Sequence, residues 1–247
     1  MVHVLFLFYP RSRRLNEILP PRFETSAKQN LNLDEASRCL IQVMLGYGAL
    51  YYGNVVEEIK DLLRNNPTLD VNSIQRKTTG TTLIHGACEN GHDSTISILL
   101  AHPDIDVNLK NNYGQTPFMS ACLAGKTSCV RQLLRDPRVK VNEPSKDGET
   151  PLNRAAYFGH HDVIKLWIAS GREMDLGAPG DVDKTDAIEA AKKKGKTEVV
   201  TLLERFKSDA SRTRDEVRKE LGTTGQSFAP LCLFLPGRQS SHLFRFL

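Results

Sequence analysis

The sequence predicts an all-α fold, a solenoid of stacked helix–turn–helix units joined by extended loop turns. Two observations carry the prediction. Three segments align with one another: GTTLIHGACENGH from Gly80, GQTPFMSACLAGK from Gly114 and GETPLNRAAYFGH from Gly148. Three separate markers then share a single period. Thr82, Thr116 and Thr150 are 34 residues apart, as are Gly91, Gly125 and Gly159, and Val107-Asn108 recurs as Val141-Asn142. A fixed period of this size marks a stacked array, in which each unit buries its apolar face only against its neighbours.

The elements follow in chain order. Residues 1–33 form an unpatterned basic segment, and Asp34 is placed to cap a helix from Glu35 to Leu45. A first, degenerate unit reads ALYYGN from Ala49, then Val56, Ile59, Leu62 and Leu63 at helical spacing, then Asp70-Val71-Asn72; Met44 to Tyr47 replace its opening element. In the three central units the threonine is an N-cap, and Pro117 and Pro151 follow at the first helical position, where a missing N–H costs nothing. Small pairs (Ala87-Cys88, Ala121-Cys122, Ala155-Ala156) allow close helix approach, and the following glycine suits a left-handed C-cap. A second helix with apolar residues three and four apart ends at Pro67, Pro103, Pro137 or Ser170-Gly171. The last unit, AIEAAKKKGK from Ala187, starts from Asp186 and follows a two-residue insertion within Gly177 to Lys184. Ala210, Val217 and Leu221 give a charged closing helix a partial apolar stripe up to Gly222. The expected organisation is an N-terminal segment 1–33, a repeat domain 34–222 with terminal capping helices, and an unpatterned tail 223–247.

These residues resemble the ankyrin repeat: a T-P-L-H-x-A-A-x-x-G-H helix, an apolar second helix, then D-V-N. The likeness runs from about Leu40 to Phe206 as some five units, the first and last degenerate. Leu83 replaces the motif proline in the second unit, and Met119 and Asn153 replace the motif histidine in the third and fourth. The resemblance implies an L-shaped stack of helix pairs with projecting loops.

Composition narrows the function. The 247 residues are 40% hydrophobic and 25% charged with a net charge of +4, ordinary for a globular chain. Residues 34–185 hold 16 basic and 19 acidic side chains, so the positive excess sits at the ends. A slightly acidic body is a poor platform for a nucleic-acid backbone. The apolar run Val2 to Tyr9 is too short to span a membrane, and Arg11, Arg13 and Arg14 lie on the wrong side of it for a signal peptide. Five cysteines without a C-x-x-C pair fit a reducing compartment. The expected location is cytoplasmic, and the run Lys192, Lys193, Lys194 and Lys196 also admits a nuclear one.

No catalytic motif is present: the chain lacks a phosphate-binding loop, H-E-x-x-H, G-x-S-x-G and a dinucleotide fingerprint. His85 reads as a structural residue of a helix start, Cys88 and Cys122 as packed small residues, and adjacent His160 and His161 cannot both face one metal. The chain is expected to be a non-enzymatic monomer that uses no cofactor, metal or small-molecule substrate and does not insert into a membrane.

The resemblance places partner binding on the loop tips and on the pair of residues before each motif glycine. Here those pairs are Tyr51-Tyr52, Glu89-Asn90, Leu123-Ala124, Tyr157-Phe158 and Lys193-Lys194. The tips are Thr78, Thr79 and Thr81, then Asn112, Tyr113 and Gln115, then Lys146, Asp147 and Glu149. Aromatic residues anchor interfaces because they bury much area at low entropic cost. The candidate site is therefore Tyr51, Tyr52, Glu89, Asn90, Tyr113, Leu123, Lys146, Asp147, Tyr157 and Phe158. The leading expectation is a protein-binding scaffold; binding of nucleic acid or an anionic surface by the basic ends, and a regulatory piece of a larger multidomain protein, stand beside it.

Overall fold

A computed structural model describes residues 60, 63, 70–177 and 186–223. The expected Glu35–Leu45 helix, most of the first unit, the insertion after Gly177 and the tail lie outside the described residues. The elements are β1 (Ile74–Arg76), β2 (Thr81–Thr82), α1 (Leu83–Asn90), α2 (Asp93–Ala101), α3 (Pro117–Leu123), α4 (Thr127–Arg135), α5 (Pro151–Phe158), α6 (His161–Ser170), α7 (Ala187–Lys193), α8 (Thr197–Ser208) and α9 (Ala210–Glu220). The helices form the predicted α-solenoid. The inner helices α1, α3, α5 and α7 pack side by side, and α2, α4, α6 and α8 form the outer row.

Helix starts follow the predicted caps, with an exchange of devices. Thr116 and Thr150 accept from the amides of Met119 and Asn153 at 3.2 Å, each ahead of a proline. In α1 leucine replaces that proline, and His85 supplies the order instead: its Nδ1 lies 2.8 Å from the Thr82 hydroxyl and accepts from the Thr82 amide at 3.4 Å. Its Nε2 donates to the Gln115 carbonyl of the next unit at 3.0 Å. The carbonyl can only accept, so the Nε2–H tautomer is present.

The core runs the length of the array as one apolar seam, from Leu63 through Ile84, Leu99, Leu133, Leu152 and Ile164 to Leu202 and Leu203. Trp167 fills the slot that Leu99 and Leu133 occupy. It meets Phe118 edge to face at 4.9 Å, and its indole N–H donates to the Glu173 carbonyl at 3.2 Å. Burial of the larger ring is thus matched by satisfaction of its one polar atom.

The loops hold two periodic ladders that the spacing alone does not reveal. Asn72 and Asn108 each donate through the side-chain amide to a carbonyl of the next unit, Asp104 at 2.7 Å and Arg138 at 2.8 Å, and each accepts an amide there, from Asp106 and Lys140. Asn142 continues the pattern onto Glu173 and Asp175. Arg138 and Arg172 reach back to the ends of the preceding outer helices, onto the carbonyls of Leu100 and Leu134. There the guanidinium satisfies an orphan carbonyl and complements the helix dipole.

In the extended turn ahead of α1, β1 and β2 pair antiparallel with a bulge. The bulge arises because Gly80, at φ +68°, turns the chain so that its amide donates to Arg76. On α9, Ala210 is exposed, so the buried stripe is Thr213 and Val217 with Leu221 at its edge. This helix packs across α6 and α8 instead of extending the array, and Arg218 donates to the Ala169 carbonyl at 2.8 Å.

Candidate functional site

The four described pre-glycine pairs lie at the ends of the inner helices α1, α3, α5 and α7 and are not uniformly exposed. Asn90, Phe158, Lys193 and Lys194 are exposed, whereas Glu89, Leu123, Ala124 and Tyr157 are half-buried. The reason is the tight stacking of units. At Gly125, with φ +66°, a Cβ would stand 2.5 Å from Nδ1 of His160 in the next unit; at Gly159, with φ +79°, a Cβ would stand 2.7 Å from the Lys196 stem. Both the left-handed backbone and the crossing side chain therefore require glycine.

The column is stitched into one surface. His160 donates from Nε2 to the Leu123 carbonyl at 2.9 Å. Its ring stacks on Phe158 at 6.0 Å, and Phe158 meets Tyr157 edge to face at 5.1 Å. Lys194 holds its ammonium 4.5 Å from the centre of the Tyr157 ring. Phe158 nonetheless keeps 45% of its surface exposed. At the other end, Asn90 turns its amide onto the Gly86 carbonyl at 2.8 Å, so one of its donors is already used. Burial pushes the Glu89 carboxyl above the ordinary range, opposed by nearby Arg76.

The loop tips are registered against each other. The Asn112 amide donates to Thr79 at 2.8 Å and the Lys146 amide donates to Tyr113 at 3.0 Å. Tyr113 leaves 54% of its surface exposed, and Lys146 and Asp147 are exposed beside it. Tyr51 and Tyr52 lie outside the described residues. The sequence reading missed Arg154, which shares a slot with Gly86 and Ser120 on the inner helices. Arg154 pairs with Glu149 of its own tip at 2.5 Å, while its Nε is buried without a hydrogen-bond partner among the described residues. The equal spacing of 86, 120 and 154 was the signal that could have found it.

The site offers contact chemistry. No group of three or more His, Cys, Asp or Glu side chains suited to a metal occurs among the described residues. Burial pushes the Cys88 and Cys122 thiols well up and Cys129 to about 11, so thiolate is scarce at neutral pH. No helix among the described residues is long and apolar enough to cross a membrane.

Comparison with known families agrees with this architecture. A family model described as ankyrin repeats in three copies matches residues 45–145, and a second, for ankyrin repeats in many copies, matches residues 129–166. No curated protein matches the chain.

Proposed function

Because the chain is an ankyrin repeat protein, with family matches that together span residues 45–166, we propose that it is a scaffold that binds a partner protein through the inner face and loop tips of its array. Ankyrin repeats in general are modules of protein–protein interaction. The observation that carries the reading here is Phe158. Nearly half of the ring faces solvent, yet its position is set by Tyr157 on one side and His160 on the other. An exposed aromatic held in place loses little entropy on binding, as interface anchors require. Leu123 and Tyr113 extend the contact along the array and onto the tips, with Lys146 and Asp147 as its polar rim and Glu89 and Asn90 at its acidic end. By sequence position Tyr51 and Tyr52 are the equivalent pair of the first unit. The binding unit corresponds to residues 34–222. It works by surface complementarity, without a catalytic step.

Affinity capture with the full chain, repeated with the Tyr157→Ala/Phe158→Ala double variant, tests the reading. Proteins retained by the first and lost from the second, with the helical circular-dichroism spectrum unchanged, support it. An unchanged captured set would remove the inner face from the binding surface.

A further inference from the structure

The pre-glycine column changes chemistry along the array. Among the described residues it begins with Glu89-Asn90, becomes apolar at Leu123-Ala124 and Tyr157-Phe158, and ends at Lys193-Lys194. The cationic end is not self-neutralised. Lys192 turns away to Glu204 on α8 at 3.0 Å, whereas Lys193 and Lys194 make no ion pair among the described residues. Lys194 leans over the Tyr157 ring, and Arg154, close enough to act on the same phenol, pairs with Glu149. Hydrogen bonding to Lys194, with the field of Lys194, Lys193 and Arg154 behind it, holds the Tyr157 phenol below its ordinary range. Three cations thus gather around one aromatic pair, and among the described residues Glu149 is the carboxylate that pairs with one of them.

We propose that the inner face takes a peptide segment of a partner in one direction, with an apolar side chain on Leu123 and Phe158 and carboxylates beyond it on Lys193 and Lys194. The inference rests on the partner-binding reading above and adds the chemistry and polarity of what is bound. Opposite charge at one end and an acidic residue, Glu89, at the other fix the register, since a reversed segment would set its carboxylates against Glu89. Helices packed side by side stand roughly 8–10 Å apart, so Leu123 to Lys193 covers about 20 Å. An extended segment covers that in about six residues and a helix in about thirteen. An acidic peptide fits better than a nucleic-acid strand: the exposed ring asks for an apolar partner, and the cations gather at one end of the column, whereas a strand carries charge along its whole length.

The test is selection of a displayed library of random 14-residue peptides on the full-length chain, followed by titration of the enriched peptides. The expected result is enrichment of peptides with two or more Asp or Glu within a few residues of an apolar side chain. Their affinity should fall about tenfold or more in Lys193→Glu/Lys194→Glu, by a smaller factor in Lys193→Gln/Lys194→Gln, and about tenfold in Phe158→Ala. Circular dichroism checks that each variant folds, and the glutamine pair serves where charge reversal disturbs the end of α7. Binders that respond to Phe158→Ala but to neither lysine pair would overturn the acidic-segment inference and leave the partner-binding reading standing. Binders indifferent to Phe158→Ala would overturn both, and so would a single-stranded RNA that competes with the peptides and ignores that substitution. A selection that enriches nothing overturns the peptide inference.

Discussion

The Nε2 of His160 donates to the carbonyl oxygen of Leu123 across 2.9 Å, a bond from the start of one outer helix to the inner helix of the unit before it. The imidazole passes directly over Gly125, where no Cβ fits. Gly125→Ala is expected to cost about 1–2 kcal/mol for the left-handed backbone alone, and more for displacement of the ring. Urea unfolding of the full chain measures it. A loss confined to about 1–2 kcal/mol would show that the inter-unit contact relaxes freely, and one below about 0.5 kcal/mol would contradict the backbone cost as well.

Phe158 and Trp167 are both large aromatics, yet substitution should separate them. Phe158→Ala removes a half-exposed ring and should change stability by no more than about 0.5 kcal/mol while weakening partner capture. Trp167 is fully buried against Phe118, and Trp167→Ala should cost about 3–5 kcal/mol. Thermal unfolding paired with capture distinguishes an interface ring from a core ring.

Acid should weaken the array through His85. Burial lowers its pKa below the ordinary 6.5, and His92 and His102 shift in the same direction. Between each depressed value and about 6.5 the unfolded chain binds more protons than the folded one, so stability rises with pH across that window and falls on acidification. Above about 6.5 both forms are neutral and the contribution is fully present. Urea midpoints at pH 7.5 and pH 5.5 should show a drop that is smaller in His85→Gln, whatever that variant's stability at pH 7.5.

The asparagine ladder predicts a loss shared between units. Asn108→Ala removes a donor to Arg138 and an acceptor for Lys140, both partly solvated, and should cost about 1 kcal/mol. Arg138→Lys should not preserve the clamp on Leu100, because a lysine cannot bind Asp136 and that carbonyl in one planar fork. Denaturant unfolding of both variants measures these terms.

The buried thiols should be silent. Cys88, Cys122 and Cys129 are enclosed in the seam with their pKa values raised. Alkylation of these three at pH 8 should follow unfolding, with peptide mass mapping to assign each site; rapid labelling in the folded chain would contradict the packing.

The sequence by itself determined the kind of fold and the boundaries of its units, because a 34-residue period of caps, glycines and apolar positions is written locally, each marker within a few residues of the turn it shapes. It also located the column before each glycine. Only the tertiary structure decided what that column exposes. Whether Tyr157 is half-covered and Phe158 half-free depends on His160 and Lys194, which reach across from other elements, and the Asn and Arg ladders join residues about one period apart. Periodicity records that positions are equivalent; the packing of one unit on the next determines which of them are left facing solvent.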